Sequence, residues 1–203
     1  NGSSAQLTVV PVSPDVLGAL PAAIGRLGWD VTLVVPRYRG VTAGRMVDRF
    51  QVWVGGRSAD LRFFEEPLAA AARALLVDAP ESFDRRGLYG IGVEDYADNP
   101  RRFGVLTRAA LEYAARHGPS PSIVHAHDWQ AGLPPTLVRA ESPFAAPLRD
   151  VGVVFTIHNL GYQGLFPREV VPLVGLPWST FSMDRAEFWG EFSFLKAGMT
   201  FSG

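Results

Sequence analysis

Apolar positions along the chain change period several times, and each change marks an element. Val16, Leu17, Leu20, Ile24 and Leu27 recur at helical spacing behind Ser13-Pro14-Asp15, a helix start with Ser13 as N-cap and Pro14 at the first helical position. Asp15 there complements the helix dipole, and the helix is expected to end near Gly28. A β-branched run, Val31 to Val35, follows and is stopped by Pro36, while Leu7 to Val10 ahead of the helix is a short strand candidate. Helix followed by buried strand predicts a parallel sheet.

Strand-like alternation over Arg49–Val54 and Leu61–Glu65, with Gly55-Gly56 between, predicts a hairpin at one edge of that sheet. Leu75 to Asp78 is another strand, and Ala79 to Asn99 is a long polar loop carrying Tyr89, Gly90 and Tyr96. Asn99-Pro100 opens a helix to His117, with Phe103, Leu106, Ala110, Leu111 and Ala114 inward and Gly118-Pro119 stopping it. Ile123 to His127 and Val153 to Ile157 are buried strands. Trp129 to Ala140 is a crossover helix between them, bent or started late by Pro134-Pro135. Glu187 to Met199 is predicted as a final amphipathic helix. The fold class this implies is α/β, three-layered and Rossmann-like with a mainly parallel sheet, in one domain over residues 1–203.

Composition narrows the function classes. With 19 Lys+Arg against 20 Asp+Glu and no basic stripe, no nucleic acid or anionic membrane is expected as a partner, and a small molecule or neutral polymer is. The absence of cysteine removes thiol nucleophiles and zinc–thiolate sites and fits a reducing, cytoplasmic compartment. No apolar run is long enough to span a bilayer, and the first residues lack a signal-peptide pattern, so a soluble chain is expected. Fingerprints of dinucleotide binding, the P-loop and the serine-hydrolase elbow are missing, which disfavours those enzymes.

Chemistry concentrates at two strand ends, His125-Ala-His-Asp-Trp-Gln-Ala-Gly and Thr156-Ile-His-Asn-Leu-Gly-Tyr-Gln-Gly, which hold three of the 4 histidines. Open α/β sheets bind ligands at such ends. His125 and His127 fall on one side of a strand with Asp128 next to them, the chemistry of a metal-dependent hydrolase, although only His158 and scattered carboxylates could complete the ligand set. The same groups also suit hydrogen bonding to a sugar, with Trp129 or Tyr162 as a flat apolar face. Both strand ends could instead be packed histidines that satisfy the backbone. Gly161-Tyr-Gln-Gly and Gly87-Leu-Tyr-Gly are turns on the simplest reading.

The two motifs resemble signatures of bacterial glycogen synthase and plant starch synthase. Asp15-Val-Leu-Gly-Ala-Leu-Pro, Val35-Pro-Arg-Tyr, Phe83-Asp-Arg-Arg-Gly-Leu-Tyr-Gly, Asp98-Asn-Pro-Arg-Arg-Phe and Phe194-Leu-Lys-Ala-Gly follow that family's order over about residues 14–200. The resemblance implies the N-terminal half of a GT-B glycosyltransferase, moving glucose from ADP-glucose to the non-reducing end of an α-1,4-glucan with retention and without a metal or other cofactor. It implies His158 and Asp128 as catalytic, and Asp15, Tyr89, Asn159, Tyr162 and Gln163 as substrate-binding. It also implies a C-terminal nucleotide-binding domain as partner, without which this chain is expected to be inactive; a non-catalytic glucan-binding module is the alternative. One departure stands out: where the family carries Lys-Thr-Gly-Gly-Leu for the donor phosphates, this chain has Val9-Val10-Pro11-Val12-Ser13, with neither lysine nor glycine.

Overall fold

The computed structural model describes residues 4–10, 14–42, 44–140, 148 and 150–203, with the side chains of residues 14–18 outside that description. In chain order the elements are β1 (Ala5–Val9), α1 (Pro14–Arg26), β2 (Asp30–Pro36), β3 (Arg45–Val54), β4 (Arg57–Pro67), β5 (Ala72–Asp78) and α2 (Pro80–Phe83). Then come β6 (Gly90–Ile91), β7 (Glu94–Asp95), α3 (Asn99–Arg116), β8 (Ile123–His127), α4 (Leu133–Arg139) and β9 (Gly152–Thr156). The last part holds β10 (Leu165–Pro167), α5 (Val170–Leu173), β11 (Glu187–Phe188), β12 (Glu191–Ser193) and α6 (Phe194–Thr200).

Among the described residues the central sheet runs β3-β4-β5-β2-β1-β8-β9. Strands β5, β2, β1, β8 and β9 are parallel to one another, and β4 and β3 add an antiparallel hairpin at the edge. The expected class is therefore what is found. Parallel strands covered on both faces read as apolar runs rather than alternations, which is why β2, with Val31 to Pro36 all buried, was legible as a strand. One face carries Leu7, Val9, Val34, Leu75, Val77, Val124, Ala126 and Val153 and packs with α3 and α4 residues into the main core. Leu33, Val35 and Leu76 form a smaller cluster, and α1 packs on β2 and β5.

Three expectations are corrected. The polar loop from Ala79 to Asn99 is not structureless, since it contains the α2 turn and the β6/β7 hairpin. Residues 187–193 are not helical: Trp189 and Gly190, at φ 52° and 85°, turn β11 back onto β12, and only Phe194–Thr200 is helix. Two successive left-handed residues cannot be accommodated in an α-helix, and Ser193 starts the helix instead by accepting a hydrogen bond from the Lys196 N–H at 3.1 Å. Leu27, expected inward, lies past the end of α1 and is exposed. Pro134 and Pro135 do start their helix late, because a proline is tolerated only in a first turn; Trp129–Ala131 ahead of it is a short 3-10 turn. The proposed N-cap Ser13 lies outside the described residues.

The segment after β5 is fastened by Arg102, the largest fully buried side chain among the described residues. Its Nε donates to Ser82 O at 2.6 Å, Nη1 to Asn99 Oδ1 at 2.5 Å and Nη2 to Leu88 O at 2.9 Å. The guanidinium also lies 4.9 Å from the centre of the Tyr96 ring, a cation–π arrangement. Carbonyls, an amide oxygen and ring faces replace the lost water. Arg102→Met should strand two buried acceptors, Ser82 O and Asn99 Oδ1, and a part-buried one, Leu88 O, and lower stability by about 3 kcal/mol, read as a lower urea midpoint of unfolding.

Candidate active site

The order of the parallel strands reverses between β1 and β8, since the chain leaves β1 for β2 on one side and later returns to β8 on the other. Crevices at such switch points, at the carboxyl ends of the strands, are where open sheets bind ligands. Both histidine motifs come to this place. Register pairs His125 with Val154 and His127 with Thr156, so the strand ends lie side by side. Val124 and Ala126 face the core, which turns His125 and His127 to the other face of the sheet.

His125 accepts at Nδ1 from the Gln6 amide nitrogen, 3.2 Å away, and its Nε2 lies 2.7 Å from Thr156 Oγ1. His127 is 1% exposed, with Nδ1 3.0 Å from His158 Nε2 and the two rings inclined by only 11°. Burial, and then the neighbouring His125 and His158, push the His127 imidazole down to about 3; burial and then His158 lower His125 as well. His127 Nε2 is buried without a partner among the described residues.

Asp128 follows with φ 58° and ψ 176°, a backbone shape that side-chain-bearing residues rarely adopt. Its N–H still donates to Thr156 O at 2.9 Å, while its Oδ1 accepts from the His158 N–H at 2.7 Å. The carboxylate thus bridges the two strand ends, and the unusual dihedral angles carry the chain from β8 into the Trp129–Ala131 turn.

A cavity of about 310 Å³ opens beside them, lined by Tyr89, Asp95, Asp128, Trp129, Gln130, Asn159 and Tyr162. Tyr89 reaches it from the segment held by Arg102, and burial, followed by the nearby Asp128, pushes its phenol up to about 12, so it stays a hydrogen-bond donor. Trp129 is no open platform: it is 7% exposed and sits among Tyr89, Phe103, Phe166 and Phe194, with Gly164 so close that a Cβ there would stand 2.4 Å from its ring. Tyr162, 67% exposed, is the available aromatic face.

Four of the sequence-selected residues, Tyr89, Asp128, Asn159 and Tyr162, therefore line one cavity, and the His158 N–H donates to one of them, Asp128. Gln163 is not among the lining residues; its backbone oxygen accepts from the Leu195 N–H and its amide folds back toward Leu160 O. Asp15 is in the first turn of α1, where side chains lie outside the description, and the departing segment Pro11–Ser13 lies outside it entirely. Sequence reasoning did not single out Asp95 or Gln130. Gln130 is buried with its Oε1 unpartnered, a signal that exists only in three dimensions. Among the described residues no group of three or more His, Cys, Asp or Glu is placed to hold a metal. His127 and His158 spend nitrogens on each other.

A doubly covered parallel sheet with polar and aromatic groups gathered at its switch point defines an α/β ligand-binding or catalytic domain. The profile described as "Starch synthase catalytic domain" matches residues 14–203. A glycogen synthase of Anaeromyxobacter dehalogenans (strain 2CP-1) is 44% identical over 192 residues, covering 93% of this chain and 39% of its own length. The glycogen synthase of Myxococcus xanthus (strain DK1622) is 42% identical over 199 residues, with 93% and 40% covered. The solved catalytic domain of starch synthase IV from Arabidopsis thaliana, bound to ADP and acarbose, superposes with a TM-score of 0.84 at 23% identity over 100% of this chain and 44% of that one. The chain belongs to the starch synthase catalytic domain family, and it spans about two-fifths of the length of the curated relatives it matches.

The depressed His127 titration has a sign. Unfolded histidine takes up a proton near pH 6.5, whereas the native ring stays neutral down to about 3. Between those values the unfolded chain binds more protons, so stability is full above pH 6.5 and falls as pH drops through this window. His127→Phe should flatten the change in unfolding midpoint between pH 7 and pH 5 relative to the wild type, measured by urea denaturation.

Proposed function

We propose that this chain is the N-terminal, acceptor-side half of a glycogen or starch synthase. In that reading glucose passes from ADP-glucose to the non-reducing end of an α-1,4-glucan with retention. The bond from the anomeric carbon to the diphosphate oxygen breaks, a bond to the acceptor 4-oxygen forms, and the hydroxyl proton leaves with the diphosphate. No resident cofactor enters this scheme. The observation that carries it is the meeting of Tyr89, Asp128, Asn159 and Tyr162 around one cavity beside His158, within a chain of the starch synthase family.

In this reading residues 1–203 are one domain of a cytoplasmic enzyme. His158 and Asn159 are both exposed at the mouth, as groups closed over by a second, nucleotide-binding domain would be. His158 hydrogen-bonds the transferred glucose, while the Asp128 carboxylate, held against the His158 backbone, favours positive charge developing at the anomeric carbon. Asn159 and Tyr89 supply hydrogen bonds to hydroxyls, and Tyr162 supplies an apolar face. Asp15 and Gln163 stay assigned to substrate binding by family resemblance. ADP bound to the similar starch synthase IV domain supports an adenine-nucleotide donor. Among the described residues no helix is long and apolar enough to cross a membrane.

The test grafts this segment onto a full-length glycogen synthase in place of the matching half. His158→Ala in that protein should lower glucosyl transfer from ADP-glucose to glycogen by roughly 100-fold or more. Unchanged transfer would overturn the assignment. A graft that co-sediments with glycogen yet transfers nothing would favour the glucan-binding module instead.

A further inference from the structure

His127 is buried, carries chemistry and has no part in the proposed transfer. Its ring makes one polar contact among the described residues, Nδ1 to His158 Nε2 at 3.0 Å, and its other nitrogen, Nε2, is buried without a partner. A hydrogen bond between two imidazoles needs one N–H and one lone pair, so two arrangements compete. If His127 carried its proton on Nε2, a buried N–H would have no acceptor and His158 would have to donate. If it carries the proton on Nδ1, only a lone pair is left over and His158 Nε2 accepts.

Orphaned buried N–H groups are the rarer defect, which selects the second arrangement. His125 offers no way out. The Gln6 amide donates to its Nδ1, so its own proton sits on Nε2 and goes to Thr156 Oγ1, leaving no acceptor for His127. Burial of His127 keeps it from taking a second proton and serving as donor at both nitrogens.

We propose that His127 is a positioning residue that sets the ring tautomer of His158: by donating from Nδ1 to His158 Nε2 it places the His158 proton on Nδ1. His158 Nδ1 has no partner among the described residues, and the residue is exposed. The nitrogen left available to a ligand is then an N–H donor, suited to a sugar hydroxyl or a phosphate oxygen and unable to act as a base. The Asp128 carboxylate, accepting from the His158 backbone, fixes the main chain from which this ring projects. The consequence for transfer rests on the proposed function; the tautomer does not.

The experiment is long-range proton–nitrogen NMR of the ¹⁵N-labelled chain at neutral pH, which reads the state of each ring nitrogen directly. His158 should show a protonated Nδ1 and a bare Nε2 in the wild type. His127→Asn, whose amide can donate from nearly the same place, should keep that pattern, and His127→Phe should let it revert toward the Nε2-protonated form that unconstrained histidine prefers. A wild-type His158 protonated on Nε2, or a pattern indifferent to His127→Phe in a folded chain, overturns the inference. In the grafted full-length synthase, His127→Phe should lower kcat roughly 10-fold with KM little changed, and His127→Asn should recover most of it. The expected tautomer in the chain, together with transfer that ignores His158→Ala in the graft, would uphold this inference while overturning the proposed function.

Discussion

The register of β8 against β9 is the constraint from which the site follows. His127 stands opposite Thr156, so the residue two beyond, His158, emerges beside the end of β8 and its ring meets that of His127. Side chains alternate faces along a strand, so a slip of one residue would send the whole β9 set to the opposite face. It would separate the imidazoles and break the bond between Asp128 and the His158 backbone. The register is held by apolar burial on the other face, where Val124, Ala126 and Val153 are locked into the core beneath α3 and α4. Hydrophobic packing on one side of the sheet therefore determines the polar geometry on the other.

Asp128 shows how local strain is tolerated there. A non-glycine residue at φ 58° with an extended ψ costs on the order of 1–3 kcal/mol. Its backbone N–H is engaged by Thr156 of β9 and its carboxylate by His158 two residues beyond, which over-determines the conformation. The strain lies where a residue must leave one strand, bond to the next and open a turn within a single step.

Much of this was readable beforehand, for identifiable reasons. The parallel strands announced themselves as apolar runs, α3 as a clean helical stripe, and the β3/β4 hairpin by its Gly55-Gly56 turn. The convergence of the two histidine motifs followed from a general rule about strand ends. What failed had physical causes. Glu187 to Met199 has helix-like spacing, but the left-handed pair at Trp189-Gly190 is a conformational choice that periodicity does not encode. Trp129 looked like an exposed sugar platform because a sequence does not show that four other aromatic side chains will surround it. The long polar loop looked loose because its organiser, Arg102, is a charged residue on a helix, and nothing local says that its guanidinium will be buried.

Arg102 also gives the cavity two walls of unequal stiffness. The wall carrying Tyr89 is tied to α3 by the Arg102 cation, which holds Ser82 O and Leu88 O, and by the Asn99 amide, which donates to Tyr89 O. The opposite wall, from His158 to Tyr162, is exposed along its length and is anchored at His158, through its N–H and its ring, and by the turn that Asn159 closes on Gly161. Segments with few buried contacts open at little free-energy cost. A ligand entering this crevice meets a firmer template on one side and a more compliant one on the other, so adaptation to different ligand shapes falls chiefly to the second histidine motif.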